Sequence, residues 1–354
     1  MLAFLLAITF AVPCATATPD CTEWIQAPGQ GSRVLVYRSH PLSTRNESIS
    51  RALIFVHGIN RDADNHFRTA LAAAFLAGVL DNTIIIAPRF ASNSGAPGNE
   101  AGDCHDPLAA NEANWICQVQ RPDTWRSGGP EVGNEKLTSF DFVDEMILRL
   151  AQKEVFPHLQ KIVVAGHSAG GQFVNRYEMS NQVHDSAGVP ISYVVANPSS
   201  YAYIDALRPT ASAFQGNVAV SAPGFTPSTS VVPPSSFVPF SDAHNCTTYN
   251  DWPFGLKNRS GYAARVSEDQ LRKQLVNRPV TYLLGEADVL PLGVFDTSCP
   301  AMAQGSTRLA RGLAFGKYAK ETRGAQHATV VVPFCGHSAR CMFTADVTLS
   351  LIFP

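Results

Sequence analysis

Six short, almost uninterrupted apolar stretches constrain this 354-residue chain more than any other feature. They are ALIFVHG (52–58), NTIIIAP (82–88), KIVVAG (161–166), ISYVVANP (191–198), PVTYLLGEAD (279–288) and ATVVVPFCGH (328–337). A strand with one wet face alternates apolar and polar residues, whereas these runs are apolar at consecutive positions. They therefore read as strands buried on both faces. RVLVY (33–37) is a further, less regular strand.

Helical patterns fill the intervals. HFRTALAAAFLAGVL (66–80) is rich in Ala and Leu and approaches its end at Gly78. In TSFDFVDEMILRLAQKEV (138–155), Phe142, Val143, Met146, Ile147 and Leu150 share one face, and Thr138 and Asp141 have capping-box spacing. Further helices are expected directly after Ser168 and over about 267–276. Strands alternating with helices imply right-handed crossovers, hence an α/β fold with a doubly wound, mainly parallel sheet. Two segments break the alternation, about 91–137 and 198–265. Both follow strand ends, where an open parallel sheet places its binding crevice, so they are expected to form pocket walls or a lid.

Composition narrows the functional classes. A formal net charge of −2 offers no electrostatic footprint for nucleic acid. No stretch is long enough to span a bilayer, so no integral membrane association is expected. The apolar run Leu2–Val12 followed by Ala15-Thr16-Ala17 has the form of a signal peptide over residues 1–17, leaving 18–354 as a single catalytic domain. Removing that leader leaves seven cysteines, enough for three bridges and one free thiol in an oxidising compartment. Sequence does not fix their connectivity. The near pairs Cys104–Cys117 and Cys335–Cys341 are favoured, then Cys246–Cys299, which leaves Cys21 free. No C-x₂-C pair supports a zinc site, and no metal or cofactor is expected. Asn46, Asn245 and Asn258 head glycosylation sequons.

The candidate chemistry lies in Gly166-His167-Ser168-Ala169-Gly170, a G-x-S-x-G pentapeptide. Such a pentapeptide is common by composition alone. Its context is informative: an apolar strand precedes it and a helix-forming stretch follows, the strand–turn–helix setting in which a serine is raised above a sheet. The flanking glycines leave room where a Cβ would collide. A bare small-residue turn without chemistry is the alternative.

With this elbow the chain resembles the α/β-hydrolase superfamily, whose triad partners follow in the order Ser, acid, His. The resemblance implies Ser168 as nucleophile, His337 as base and Asp288 as the acid that holds the imidazole, with Asp296 as the alternative acid. It also implies an oxyanion hole built from the N–H of Ala169 and an N–H after IFVHG, at Ile59 or else Asn60. His57-Gly58 matches the His-Gly ending the equivalent strand in many lipases and esterases. HGINRDADNHF and ANWICQVQRPDTW resemble, more loosely, secreted polyhydroxyalkanoate depolymerases and feruloyl esterases.

The implied activity is a secreted serine hydrolase acting on a small or polymeric carboxylic ester through an acyl-enzyme. Amide cleavage by the same triad and a non-catalytic binding protein of this fold are the alternatives. His57, Trp115, Trp125 and Tyr201 are candidates to line the substrate pocket. The aromatic residues could equally anchor the insertions to the core.

Overall fold

The computed structural model describes residues 13–29, 31–94, 104–118, 121–210 and 233–354. Residues 1–12, which hold most of the expected leader, lie outside them, as does most of the Pro/Ser stretch in the second insertion.

Eight strands form one sheet: β1 (Thr22–Gln26), β2 (Arg33–Arg38), β3 (Arg51–Val56), β4 (Thr83–Pro88), β5 (Lys161–His167), β6 (Ile191–Ala196), β7 (Val280–Gly285) and β8 (Ala328–Val332). Their spatial order is β1-β2-β4-β3-β5-β6-β7-β8. β2 is antiparallel to both β1 and β4, and every other neighbouring pair is parallel. The six apolar runs thus become the parallel part of the sheet. β1, unforeseen from sequence, is short and carries the polar Thr22, Glu23 and Gln26, as suits an edge strand.

Helices cover both faces. α1 (Ala63–Leu76), α7 (Ala339–Thr344) and α8 (Asp346–Ile352) lie on one side. α2 (Ser139–Leu150), α3 (Ala169–Ser180), α4 (Glu268–Asn277) and α6 (Arg308–Lys317) pack on the other, and a single turn, α5 (Cys299–Met302), precedes α6. Strand β3 shows why its sequence lacks alternation. Ala52, Ile54 and Val56 enter one core, while Leu53 and Phe55 enter the opposite one, so successive side chains are all buried.

α1 starts at Ala63, ahead of the expected stretch, and stops at Leu76, where Gly78 adopts a left-handed conformation (φ 69°) just past its end. The expected capping box of α2 forms: the Thr138 N–H donates to the Asp141 carboxylate at 2.7 Å, and the Asp141 N–H donates back to the Thr138 hydroxyl. Removing such a cap costs about 1 kcal/mol.

Four disulfides close the chain: Cys14–Cys21, Cys104–Cys117, Cys246–Cys299 and Cys335–Cys341. The last three are the pairings favoured above. The first corrects the expectation for Cys21, which is bonded and not free. Cys14 comes within reach because its N–H donates to the Ser39 carbonyl just past the end of β2. Among the described residues no free cysteine remains.

The insertions are anchored more firmly than a lid would be. Trp115, Trp125, Tyr201, Tyr203, Trp252 and Tyr262 are all buried. The first three were candidate pocket residues, and their placement corrects that expectation. Trp115 and Trp125 pack around Phe90, and Tyr201 stacks on Phe315 at 4.6 Å. Large aromatic surface is worth more against the core than at the mouth of a wet cleft.

Candidate active site

Register brings the functional loops to one edge. Val56 pairs with Gly166, His167 with Ala196, and Gly285 with Val332. The chain after each of these strand ends therefore emerges on the same rim, carrying Ile59, Ser168, Asn197, Asp288 and His337.

Ser168 sits between β5 and α3 with φ 58° and ψ −116°, a conformation that side-chain-bearing residues rarely adopt. Its glycine neighbours permit the turn. A Cβ on Gly166 would run into the Gly170 backbone, and one on Gly170 would strike the Val56 and His57 carbonyls. The Ser168 N–H donates to the Ala196 carbonyl at 2.9 Å, tying the elbow to β6.

Ser168 Oγ lies 2.9 Å from His337 Nε2, and His337 Nδ1 lies 2.7 Å from Asp288 Oδ2. Asp288 is buried beside Arg308, whose Nη1 is 3.4 Å from the other carboxylate oxygen. Arg308 also donates to the Ser199 hydroxyl and to the carbonyls of Leu292 and Val294, so it ties the acid to the loop that follows. The ion pair fixes the buried carboxylate in place beside His337. Asn197 pins the histidine loop: its side chain accepts from the Gly285 N–H and donates to the Gly336 carbonyl. Asp296, the alternative acid, accepts from the Ser298 N–H and does not reach His337.

Ala169 and Ile59 line one small chamber with Ser168. The loop carrying Ile59 is held from two sides. The Arg61 guanidinium donates to the Ile59 carbonyl at 2.9 Å and forms a two-point ion pair with Asp106, which lies inside the Cys104–Cys117 loop. His57 acts from beneath. Its Nε2 accepts the Phe90 N–H at 2.9 Å, so the proton is on Nδ1, which donates to the Gly58 carbonyl at 2.8 Å. Full burial lowers its pKa to about 3, and it remains neutral. His57 was a candidate pocket residue; it lies under the loop and does not line the cleft.

A cleft of about 410 Å³ opens over Ser168 and His337, walled by Ile59, Asn60, His66, His167, Val294 and Ala339 among others. The His167 ring lies 4.8 Å from that of His337, and burial, reinforced by that neighbour, holds its pKa well below the ordinary value. A larger depression of about 510 Å³, beside His184, Lys273 and Arg278, holds no nucleophile–base pair.

Residues 53–347 match the Alpha/beta hydrolase family. The chain belongs to that family. No curated protein sequence matches this hydrolase significantly. Among solved structures it is similar to poly(aspartic acid) hydrolase-1 from Sphingomonas sp. KT-1, at 20% identity over 94% of this chain and 98% of that one, with TM-score 0.54. It is also similar to LpqC, a poly(3-hydroxybutyrate) depolymerase from Bordetella parapertussis, at 19% identity over 94% and 89% of the two chains, with TM-score 0.58. At such identities the likeness is one of fold.

Sequence reading missed Arg308, Asn197, Arg61 and Asp106 in this hydrolase. Each acts by holding another residue, which leaves no local motif. Arg61, at φ 57°, has no Gly or Asn signature to mark its turn.

Proposed function

We propose that the protein is a serine hydrolase cleaving carboxylic esters through an acyl-enzyme. The observation that carries this reading is the unbroken hydrogen-bonded line from Ser168 through His337 to Asp288, ending on a serine held at positive φ. Ser168 Oγ attacks the ester carbonyl as its proton passes to His337 Nε2. Negative charge develops on the carbonyl oxygen, facing the N–H groups of Ala169 and Ile59. His337 then returns the proton to the departing alkoxide as the C–O bond breaks. Water repeats the sequence to release the acid and restore Ser168.

Fluorophosphonate labelling tests the nucleophile, with 4-nitrophenyl esters as the turnover assay and matched anilides to separate ester from amide cleavage. An adduct on Ser168, absent from Ser168→Ala, is expected together with ester turnover. Equal labelling of both proteins would overturn the reading.

Export through an N-terminal leader is part of the same proposal. Four bridges suit an oxidising compartment, and exposed Asn245 and Asn258 are accessible for glycosylation. The Cys14–Cys21 bridge favours a leader ending upstream of Cys14 over one ending after Ala17. Thiol titration of the exported protein is expected to find no free thiol. One thiol per chain would restore the Ala17 boundary.

A further inference from the structure

The chamber that Ser168 shares with Ala169 and Ile59 measures about 10 Å³, close to the space one water oxygen needs. Of an ester's atoms, the carbonyl oxygen is the one that suits so small a space beside the proposed nucleophile. A third group with a hydrogen to give lines the same chamber. It is Ser199.

Ser199 follows β6, whose last residue, Ala196, accepts the Ser168 N–H, so this stretch runs close beside the elbow. Its residue is 5% exposed, and two arginines of α6 fix it from both ends. Arg308 Nε donates to the hydroxyl oxygen at 3.0 Å, and Arg311 donates to the backbone carbonyl. A serine hydroxyl can accept two hydrogen bonds and donate one. Here a guanidinium fills one acceptor place, and among the described residues nothing accepts the hydrogen. The Asp296 carboxylate, which lines the same chamber, bonds the Ser298 N–H and not this hydroxyl. The next residue makes a contrast. The Ser200 hydroxyl is gripped from α3, by Gln172 and Arg176, and lines a separate chamber that does not include Ser168.

We propose that the Ser199 hydroxyl is a third hydrogen-bond donor to the substrate's carbonyl oxygen as it becomes an oxyanion, alongside the N–H groups of Ala169 and Ile59. The bond from Arg308 draws charge from the hydroxyl oxygen, which makes the hydroxyl hydrogen a stronger donor. Because both arginines hold Ser199 in place beforehand, little rearrangement is needed when the charge forms. One guanidinium thereby serves two groups: Arg308 holds the acid behind His337 and the donor that faces the substrate. The carbonyl oxygen gains its charge only as the tetrahedral intermediate forms, so the bond strengthens there and belongs to kcat more than to KM. This assignment rests on the serine-hydrolase reading above.

The test compares 4-nitrophenyl butyrate with its thiono analogue, in which sulfur, a weak hydrogen-bond acceptor, replaces the carbonyl oxygen. Ser199→Ala should lower kcat on the oxygen ester by about tenfold or more, with KM little changed. The thiono ester should lose far less, so the oxygen-to-sulfur ratio of kcat/KM falls by nearly the same factor. Asn197→Ala is the structural control. It disturbs the His337 loop, so it should slow both esters alike and leave their ratio intact. A ratio unmoved by Ser199→Ala, or one that falls as far in Asn197→Ala, would overturn the proposal and reduce Ser199 to a support for Arg308. Fluorophosphonate labelling keeps the two readings apart. A wild-type protein that labels at Ser168 and turns over the ester, with its ratio unmoved by Ser199→Ala, sinks the third donor alone. One that neither labels nor turns over ester sinks the hydrolase reading and the third donor with it.

Discussion

The two walls around Ser168 are made of different chemistry. On one side stand the imidazoles of His337, His167 and His66, and on the other Arg126 and Arg176 with Gln172 between them. The imidazole wall takes His337 and His167 from strand ends, and His66 from the start of α1. The guanidinium wall comes from the first insertion and from the buried interior of α3. An imidazole can gain and lose a proton near neutral pH, whereas a guanidinium in water cannot. One wall holds the proposed base, His337, and the other holds two buried guanidiniums. In the proposed hydrolase the sheet rim carries the reacting groups, and the first insertion and α3 supply the wall packed against it.

The hardest way to break this division is to remove the proton-moving wall. Ser168→Ala or His337→Ala should lower ester turnover by roughly 10³-fold or more. Asp288→Ala should be nearly as severe, whereas Asp296→Ala should cost less than about tenfold. Steady-state kinetics on a 4-nitrophenyl ester reads both. The reverse ranking of the two aspartates would move the acid to the other wall and dissolve the comparison.

The walls also differ in how far they could be read from sequence. β5 and the pentapeptide at its end announce themselves because a strand-to-helix turn under a serine needs glycines at fixed offsets, as the collisions at Gly166 and Gly170 demonstrate. Asp288 and His337 follow apolar runs, so strand periodicity together with family order reaches them. Arg126 and Arg176 carry no such mark. Buried arginines are rare, and a sequence gives no reason to place Arg176 inside the protein, although every residue of α3 is buried. The aromatic candidates failed for the complementary reason. Trp115 and Trp125 lie in a segment rich in turn-forming residues, and only tertiary packing on Phe90 reveals them as core.

A milder perturbation acts on the frame of the imidazole wall. Cys335–Cys341 brackets His337, and the carbonyls of Cys335 and Gly336 accept from Ala287 and Asn197. Replacing both cysteines by serine should lower kcat by about tenfold, since a misplacement of about 1 Å weakens proton transfer. A variant that keeps full kcat would show that the Asn197 hydrogen bond suffices to hold His337.

The smallest expected effect concerns α3, the helix that joins the walls. Its first turn supports the Ser168 elbow, its middle carries Arg176, and the next residue, Tyr177, donates its hydroxyl to Asp144 at 2.6 Å. Tyr262 donates to the other oxygen of the same carboxylate. Burial raises the Asp144 pKa to about 7, with Asp141 adding to the rise while the two tyrosines and Arg265 oppose it. The folded protein therefore binds a proton here that the unfolded chain releases near the ordinary carboxylate value of about 4. Between about pH 4 and 7 the native state holds more protons than the unfolded one, so this group's contribution to stability falls as pH rises through that window. Asp144→Asn removes the titration while keeping an acceptor for a tyrosine hydroxyl. Melting temperatures measured from pH 4.5 to 8 should decline less steeply for the variant than for the wild type, with the largest gain at the alkaline end. Parallel curves would mean that the two tyrosine hydrogen bonds keep Asp144 ionised. α3 would then be held by a charge on this flank as well as by the neutral packing around Phe173.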